Sequence, residues 1–249
     1  MKTLSFPKTA MAIALCSFYA CAPVYLPNTV NTPLLTKRHD TRLAVYASPA
    51  TGYDAQTAYA VTNHIGVMFN GSYRNKRPTY QYSDYNRNYL FEGAIGYFKA
   101  VKKQRFEIYA GYGFGQNDSR FRNINSGAPH DSYLDNSTIT TANIKKAFLQ
   151  ATLGTAYRNF EIAATTRYTF INIDDFYKAD DVQGFFIEPV TTLKIGLKHL
   201  KIVSKAGFSI GGYLTDVRYD HQPLILSAGL EVSIGAPKKT PSTTTPVSF

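Results

Sequence analysis

Leu224 to Gly235 reads LILSAGLEVSIG: Leu224, Leu226, Ala228, Leu230, Val232 and Ile234 fall on alternate positions, with Ser227, Gly229, Glu231 and Ser233 between them. A period of two puts the first set on one face of a β-strand and the second on the other. One face is oily; the other is small or polar. Phe160 to Ile171 repeats the split, with Phe160, Ile162, Ala164, Thr166, Tyr168 and Phe170 opposed to Glu161, Ala163, Thr165, Arg167, Thr169 and Ile171. In Arg105 to Gly115, Phe106, Ile108, Ala110, Tyr112 and Phe114 oppose Arg105, Glu107, Tyr109 and three glycines. Weaker alternation at Arg42 to Ser48, Ala55 to Val61, Ile65 to Tyr73, Tyr89 to Lys99, Ile144 to Tyr157, Phe185 to His199 and Ile202 to Leu214 brings the count to about ten strands, with eight as the alternative.

The connections alternate in length. Thr62-Asn63, Ala100 to Gln104, Arg158-Asn159 and the turn at His199 to Lys201 are short, whereas Arg74 to Asn88, Gln116 to Asn143 and Asn172 to Gly184 are long and polar. Short turns at one end and long loops at the other are the pattern of a transmembrane β-barrel. A soluble barrel or sandwich would point its oily face inward, which would leave the glycines and the charges outside. The charges gather on the polar face: Arg42, Glu92, Arg105, Glu107, Lys146, Glu161, Arg167, Glu188, Lys194, Lys205 and Glu231. The fold expected is therefore all-β, an antiparallel up-and-down transmembrane barrel turned inside out relative to a soluble one.

Composition agrees. The chain of 249 residues has 19 Tyr and 16 Phe but no Trp, and Tyr and Phe favour strands and membrane interfaces. With a mean hydropathy of -0.22 and no apolar run of about 18 residues, a helical membrane protein is excluded. The net charge of +10 is scattered over turns and loops and so does not read as a nucleic-acid stripe.

Four regions follow: 1–20 as a signal peptide, 21–40 as a periplasmic tether, 41–236 as the barrel and 237–249 as a disordered Thr/Pro-rich tail. Lys2 and Lys8 precede a short apolar run, Thr9 to Ala20. No ordinary cleavage site fits well, since Phe18 is bulky and Pro23 follows Ala22, so Phe18-Tyr19-Ala20-Cys21 reads as a lipoprotein signal with lipid on Cys21, the alternative being a plain signal peptide followed by an incidental cysteine. Cys16 would leave with the signal, and no disulfide remains possible.

With its export signal, alternating strands, GYGFG stretch at Gly111 to Gly115 and unequal loops, the chain resembles the small outer-membrane β-barrel families that include the OmpA and OmpX membrane domains. The resemblance covers roughly Thr41 to Ala236 and implies the Gram-negative cell outer membrane, with both termini periplasmic. It departs at the end, because the final strand stops near Gly235 and Phe249 lies beyond a tail. Omptin-like proteases resemble the chain in strand number and carry acidic pairs with a His at the rim, which draws attention to Asp174, Asp175, Asp216, Asp220 and His221. Asp and His in polar loops are more often solvated, and no nucleophile triad or metal-ligand spacing is present. The expectation is of a protein that is not an enzyme and takes no cofactor or metal.

Two sets of site residues emerge. Glu92, Arg105, Glu107, Lys146, Glu161, Arg167, Lys194 and Glu231 should form a charge network filling the lumen, because a barrel this narrow leaves little room inside and buried charges need partners. Arg74, Lys76 and Arg77, followed by tyrosines, should meet lipopolysaccharide phosphates at the outer rim, with an aromatic girdle as the plainer alternative. The partners expected are outer-membrane lipid, lipopolysaccharide and an outer-membrane protein complex, with no nucleic acid. The function expected is structural, adhesion-like or accessory; a narrow pore is the alternative, and a barrel enzyme the third.

Overall fold

The computed structural model describes residues 23–76, 85–122, 137–174, 182–215 and 221–235. In chain order the strands are β1 (Thr41–Ser48), β2 (Gly52–Ala60), β3 (Ile65–Lys76), β4 (Tyr85–Val101), β5 (Gln104–Arg122), β6 (Ser137–Ala156), β7 (Phe160–Asp174), β8 (Val182–Gly196), β9 (Leu200–Phe208), β10 (Ile210–Tyr213) and β11 (Leu224–Ile234). Sequence neighbours pair antiparallel from β1 to β8, β9 and β10 both pair with β8, and β11 pairs with both β9 and β1. The ring is closed. β9 and β10 are one strand interrupted at Ser209, whose amide carries the β9–β11 register one step further by donating to the carbonyl of Pro223 at 2.7 Å. The barrel therefore has ten strands, each overlapping a segment picked out by alternation and most of them running beyond it.

Closure matters because a strand edge in hydrocarbon would leave main-chain groups without partners, and only a closed ladder removes it. The side chains sort as the inside-out reading requires. Ile202 is 67% exposed and Phe69 61%, while Arg167, Glu188 and Lys194 are 0% exposed. Aromatic rings mark the boundary near the short turns, where His64 stacks on Tyr97, His39 packs on Tyr59 and the ammonium of Lys103 lies 4.3 Å from the centre of the Tyr157 ring. Aromatics with a polar neighbour suit the membrane–water boundary.

The wall is uneven. β1 has 8 residues, but β5 and β6 have 19 and 20, well past the roughly 9–11 that cross a bilayer. The surplus extends the barrel at the long-loop mouth, where inward Asn86 donates to Asn117 at 3.0 Å.

The largest departure from the sequence reading concerns residues 23–35. They were expected to be a tether outside the barrel; instead they run through the lumen, and every residue from Val24 to Leu35 is buried. At the short-turn mouth the chain reverses into β1 through two residues with left-handed backbone, Leu34 (φ 55°) and His39 (φ 66°). The reversal is pinned by the amide and hydroxyl of Thr36, both donating to Asp40, and by His39 donating to Ala60 O at 2.8 Å. Eleven extended steps cover about 35 Å, close to the hydrocarbon thickness of a bilayer. The described chain thus begins at the long-loop mouth and ends, after β11, at the short-turn mouth. The signal peptide, Cys21, Arg77 and the tail from 237 onward lie outside the described residues, as does the side chain of Lys76.

Candidate functional site: the occupied lumen

Three layers of contacts hold the segment. Nearest the long loops, Tyr25 packs on Phe186 with ring centres 4.6 Å apart and donates its hydroxyl to Glu188 at 3.0 Å. Val24 and Tyr25 join Ala142, Ile144, Ile171, Ile173 and Val182 in an apolar cluster inside the barrel. Residues 221–223, just ahead of β11, close over this layer: the main-chain amide of Gln222 donates to Tyr25 O at 3.0 Å, and His221 sits edge-on to Phe186.

The middle layer is built on Glu92. This carboxylate lies 2.5 Å from Lys146 and 3.1 Å from Arg167, all three side chains being fully buried. Register explains how they meet. Glu92 stands opposite Gly113, and Gly113 stands opposite Lys146, so the missing side chain at Gly113 opens the space in which the two charges touch. A Cβ there would lie 2.9 Å from Glu92 Cγ. Gln150, directly across from Arg167, accepts from the guanidinium at 3.0 Å. Asn28 of the threaded segment completes the layer: it donates to Glu92 at 2.7 Å and accepts from Lys146 at 2.7 Å and from Arg167 at 3.3 Å. Just beyond it, Asn31 donates to Asn70, Thr29 donates to Asp54, and Lys205 donates to Val30 O at 2.7 Å with its ammonium over the Tyr46 ring.

Nearest the short turns, Leu34 and Leu35 fill space left by inward glycines. A Cβ on Gly66 would meet Leu35 Cδ1 at 2.7 Å, and one on Gly154 would meet Leu34 Cδ2 at 3.0 Å. The second charge group lies here. Glu231 is 2.7 Å from Lys194 and 3.3 Å from Arg42; Glu161 contacts Lys201 and is 3.8 Å from both Arg42 and Lys194.

Seven of the eight lumen residues expected from the sequence are buried in the lumen, and six of them form ion pairs: Glu92 with Lys146 and Arg167, and Glu161 and Glu231 with Lys194. The other two behave differently. Glu107 is held by a main-chain donor, the amide of Leu35 at 2.7 Å. Arg105 is only partly buried and donates to Lys102 O at 3.0 Å and Gln104 O at 2.8 Å, clamping a turn rather than pairing across the lumen. It is the second residue of β5, so it faces inward at the rim, where water and turn carbonyls compete for its charge. Lys201 and Asn28 also belong to the network, although the sequence pattern alone puts Lys201 in a turn and Asn28 in a tether.

At the opposite mouth, Arg74 donates to Ala50 O in the β1–β2 turn at 2.5 Å, so one nitrogen of the expected lipid-contacting group is spent on the barrel itself. Of the rim positions suggested by omptins, Asp174 pairs with Lys145 at 2.5 Å and His221 points to Phe186, while Asp175, Asp216 and Asp220 lie outside the described residues. Among the described residues, no three His, Cys, Asp or Glu side chains are grouped to hold a metal.

No protein-family model matches the chain, and no curated protein does. Among solved structures it is similar to the outer membrane protease OmpT from Escherichia coli, at 11% identity and a TM-score of 0.47, over 83% of this chain and 99% of that one. The expectation that the chain is not an enzyme is corrected here. A solved barrel similar to it is a protease, and a non-catalytic role does not follow from the architecture.

Proposed function

We propose that this chain is an outer-membrane barrel sealed by its own N-terminal segment, with a structural, adhesion-like or accessory role carried by the long-loop mouth. The observation that supports this reading most is the burial of Val24 to Leu35 against partners matched along their whole length. A ten-stranded ring is wider than its side chains alone fill, and the segment occupies the remainder. Short turns on the periplasmic side and long loops outside follow the usual orientation of such barrels.

Lipid on Cys21 belongs to the same reading. Cys21 precedes Pro23 by two residues, a reach of at most about 7 Å, so an acyl group would join the leaflet at the long-loop mouth rather than the periplasmic one. The same reading assigns Arg74, Lys76 and Arg77 to contact with lipopolysaccharide phosphates on that side of the membrane. Cys21→Ala should abolish labelling by a fatty-acid analogue while the barrel still inserts; unchanged labelling removes the lipid from this account.

The test of the function is conductance in planar bilayers, with outer-membrane fractionation and heat-modifiable gel migration as the preliminary check. The sealed barrel should conduct little. Large, stable steps from the wild-type chain would establish a pore instead, and recovery as a soluble periplasmic protein would remove the barrel from the membrane altogether.

A further inference from the structure

The lumen treats residues 24–35 in the way a binding site treats a peptide. Its side chains reach the segment's main chain repeatedly: Asn117 donates to Val24 O at 2.7 Å, Gln56 to Thr29 O, Lys205 to Val30 O at 2.7 Å and Gln150 to Asn31 O at 2.7 Å, while Glu107 accepts from Leu35 N at 2.7 Å. These contacts come from β2, β5, β6 and β9, so they surround the segment rather than extending one sheet edge. Main-chain contacts of this kind provide grip, and side-chain pockets provide selection. The pockets here are the Phe186–Glu188 site for Tyr25, the Glu92–Lys146–Arg167 site for Asn28 and the glycine-lined spaces for Leu34 and Leu35.

The segment suits such a site. From Pro23 to Thr36 it reads PVYLPNTVNTPLLT, without a charge. Any charge would need its own buried partner, and the ions of the two charge groups already pair among themselves. Pro23, Pro27 and Pro33 hold the chain extended and remove three amides that the walls would otherwise have to satisfy. The only covalent link between this segment and the barrel is the reversal at 36–40, where Lys37, Arg38 and His39 are exposed.

We propose that the lumen is a binding tunnel for an extended, uncharged, amide- and hydroxyl-rich polypeptide, with residues 24–35 as its resident ligand and a free peptide of that sequence able to take their place. The proposal needs the threaded geometry but not the membrane orientation or the lipid on Cys21, so it is tested in detergent.

A protease site inserted between Lys37 and Arg38 allows the full chain to fold with its segment in place before the link is cut. The cut segment should remain with the barrel through gel filtration. When the cut barrel is unfolded and refolded with excess fluorescent peptide 23–36, the labelled peptide should be incorporated, and a scrambled peptide of the same composition should not. A peptide with Asn28→Ala should bind at least about 10-fold more weakly, the loss expected for hydrogen bonds to charged groups. Three results overturn the proposal: loss of the cut segment from a barrel that stays folded, refolding that never incorporates the free peptide, or equal uptake of native and scrambled sequences.

Discussion

The two charge groups in the lumen are made of the same residue types and are built differently. Around Glu92, one carboxylate serves two cations, and Asn28, from outside the strands, bridges all three. Around Glu231 and Glu161, two carboxylates share Arg42, Lys194 and Lys201, all carried by strands, with Asp40 at 3.5 Å from Arg42. This second group borders a recess of about 540 Å³ at the short-turn mouth, with Lys37, His199 and Arg105 around it. The first group is fully enclosed and depends on the threaded segment. The second is near the mouth and depends on strand pairing; Glu161 and Lys194, for example, stand directly opposite each other. An enclosed group cannot exchange a lost partner for water, so the two should respond unequally to the same kind of mutation.

The largest effect is expected for Arg167→Ala. It removes one of two cations from a fully buried carboxylate, which costs on the order of 3 kcal/mol and lowers the unfolding temperature by roughly 6–12 °C. Where water enters instead, conductance should rise. Lys201→Ala should have a clearly smaller effect, because Glu161 keeps Arg42 and Lys194 at 3.8 Å and borders the recess through which water can enter; equal effects would break the contrast between the two groups.

Asn28→Ala comes next. It takes three hydrogen bonds from charged partners without touching any strand, and a loss of about 1.5–3 kcal/mol in thermal unfolding is expected. A neutral result would place the segment outside the lumen. Gly66→Ala should then cost about 1–3 kcal/mol, because its Cβ would press on Leu35 and on the Tyr109 hydroxyl at 2.8 Å. Gly93→Ala is the matched control: it faces outward, its nearest contact would be 3.7 Å from the Phe69 ring, and it should be neutral. The smallest effect belongs to lipid-facing Leu230→Ile, which is expected to stay within about 0.5 kcal/mol.

These differences mark how far the sequence could be read. All ten strands were legible because alternation is a local signal, written residue by residue in stretches such as Phe160 to Ile171. Alternation assigns a face but not a height. It therefore put Glu92 and Arg105 in one class, although one lies mid-lumen and the other at the rim. The pairing of Glu92 with Lys146 passes over Gly113 and needs register across three strands, which no single stretch contains. The threaded segment was hidden for a different reason. Its partners come from many strands and converge only when the ring closes, while prolines and a lack of periodicity resemble a linker. One signal was available: a solvated tether normally carries charge, glycine or serine, and Ala22 to Thr36 has none of them. The break at Ser209 left no local mark at all, since Ile202 to Leu214 alternates through it.

The central claim is that the N-terminal segment lies inside the barrel, and proximity labelling tests it most directly. Val30 shares a buried cluster with Val190 of β8 and Ile225 of β11. A chain carrying Val30→Cys and Val190→Cys, in native outer membranes, should be joined internally by a short thiol cross-linker, and Val30→Cys alone should resist a membrane-impermeant maleimide until the barrel is unfolded. Ready labelling of Val30→Cys in the folded barrel, with no cross-link to Val190→Cys, would contradict the account.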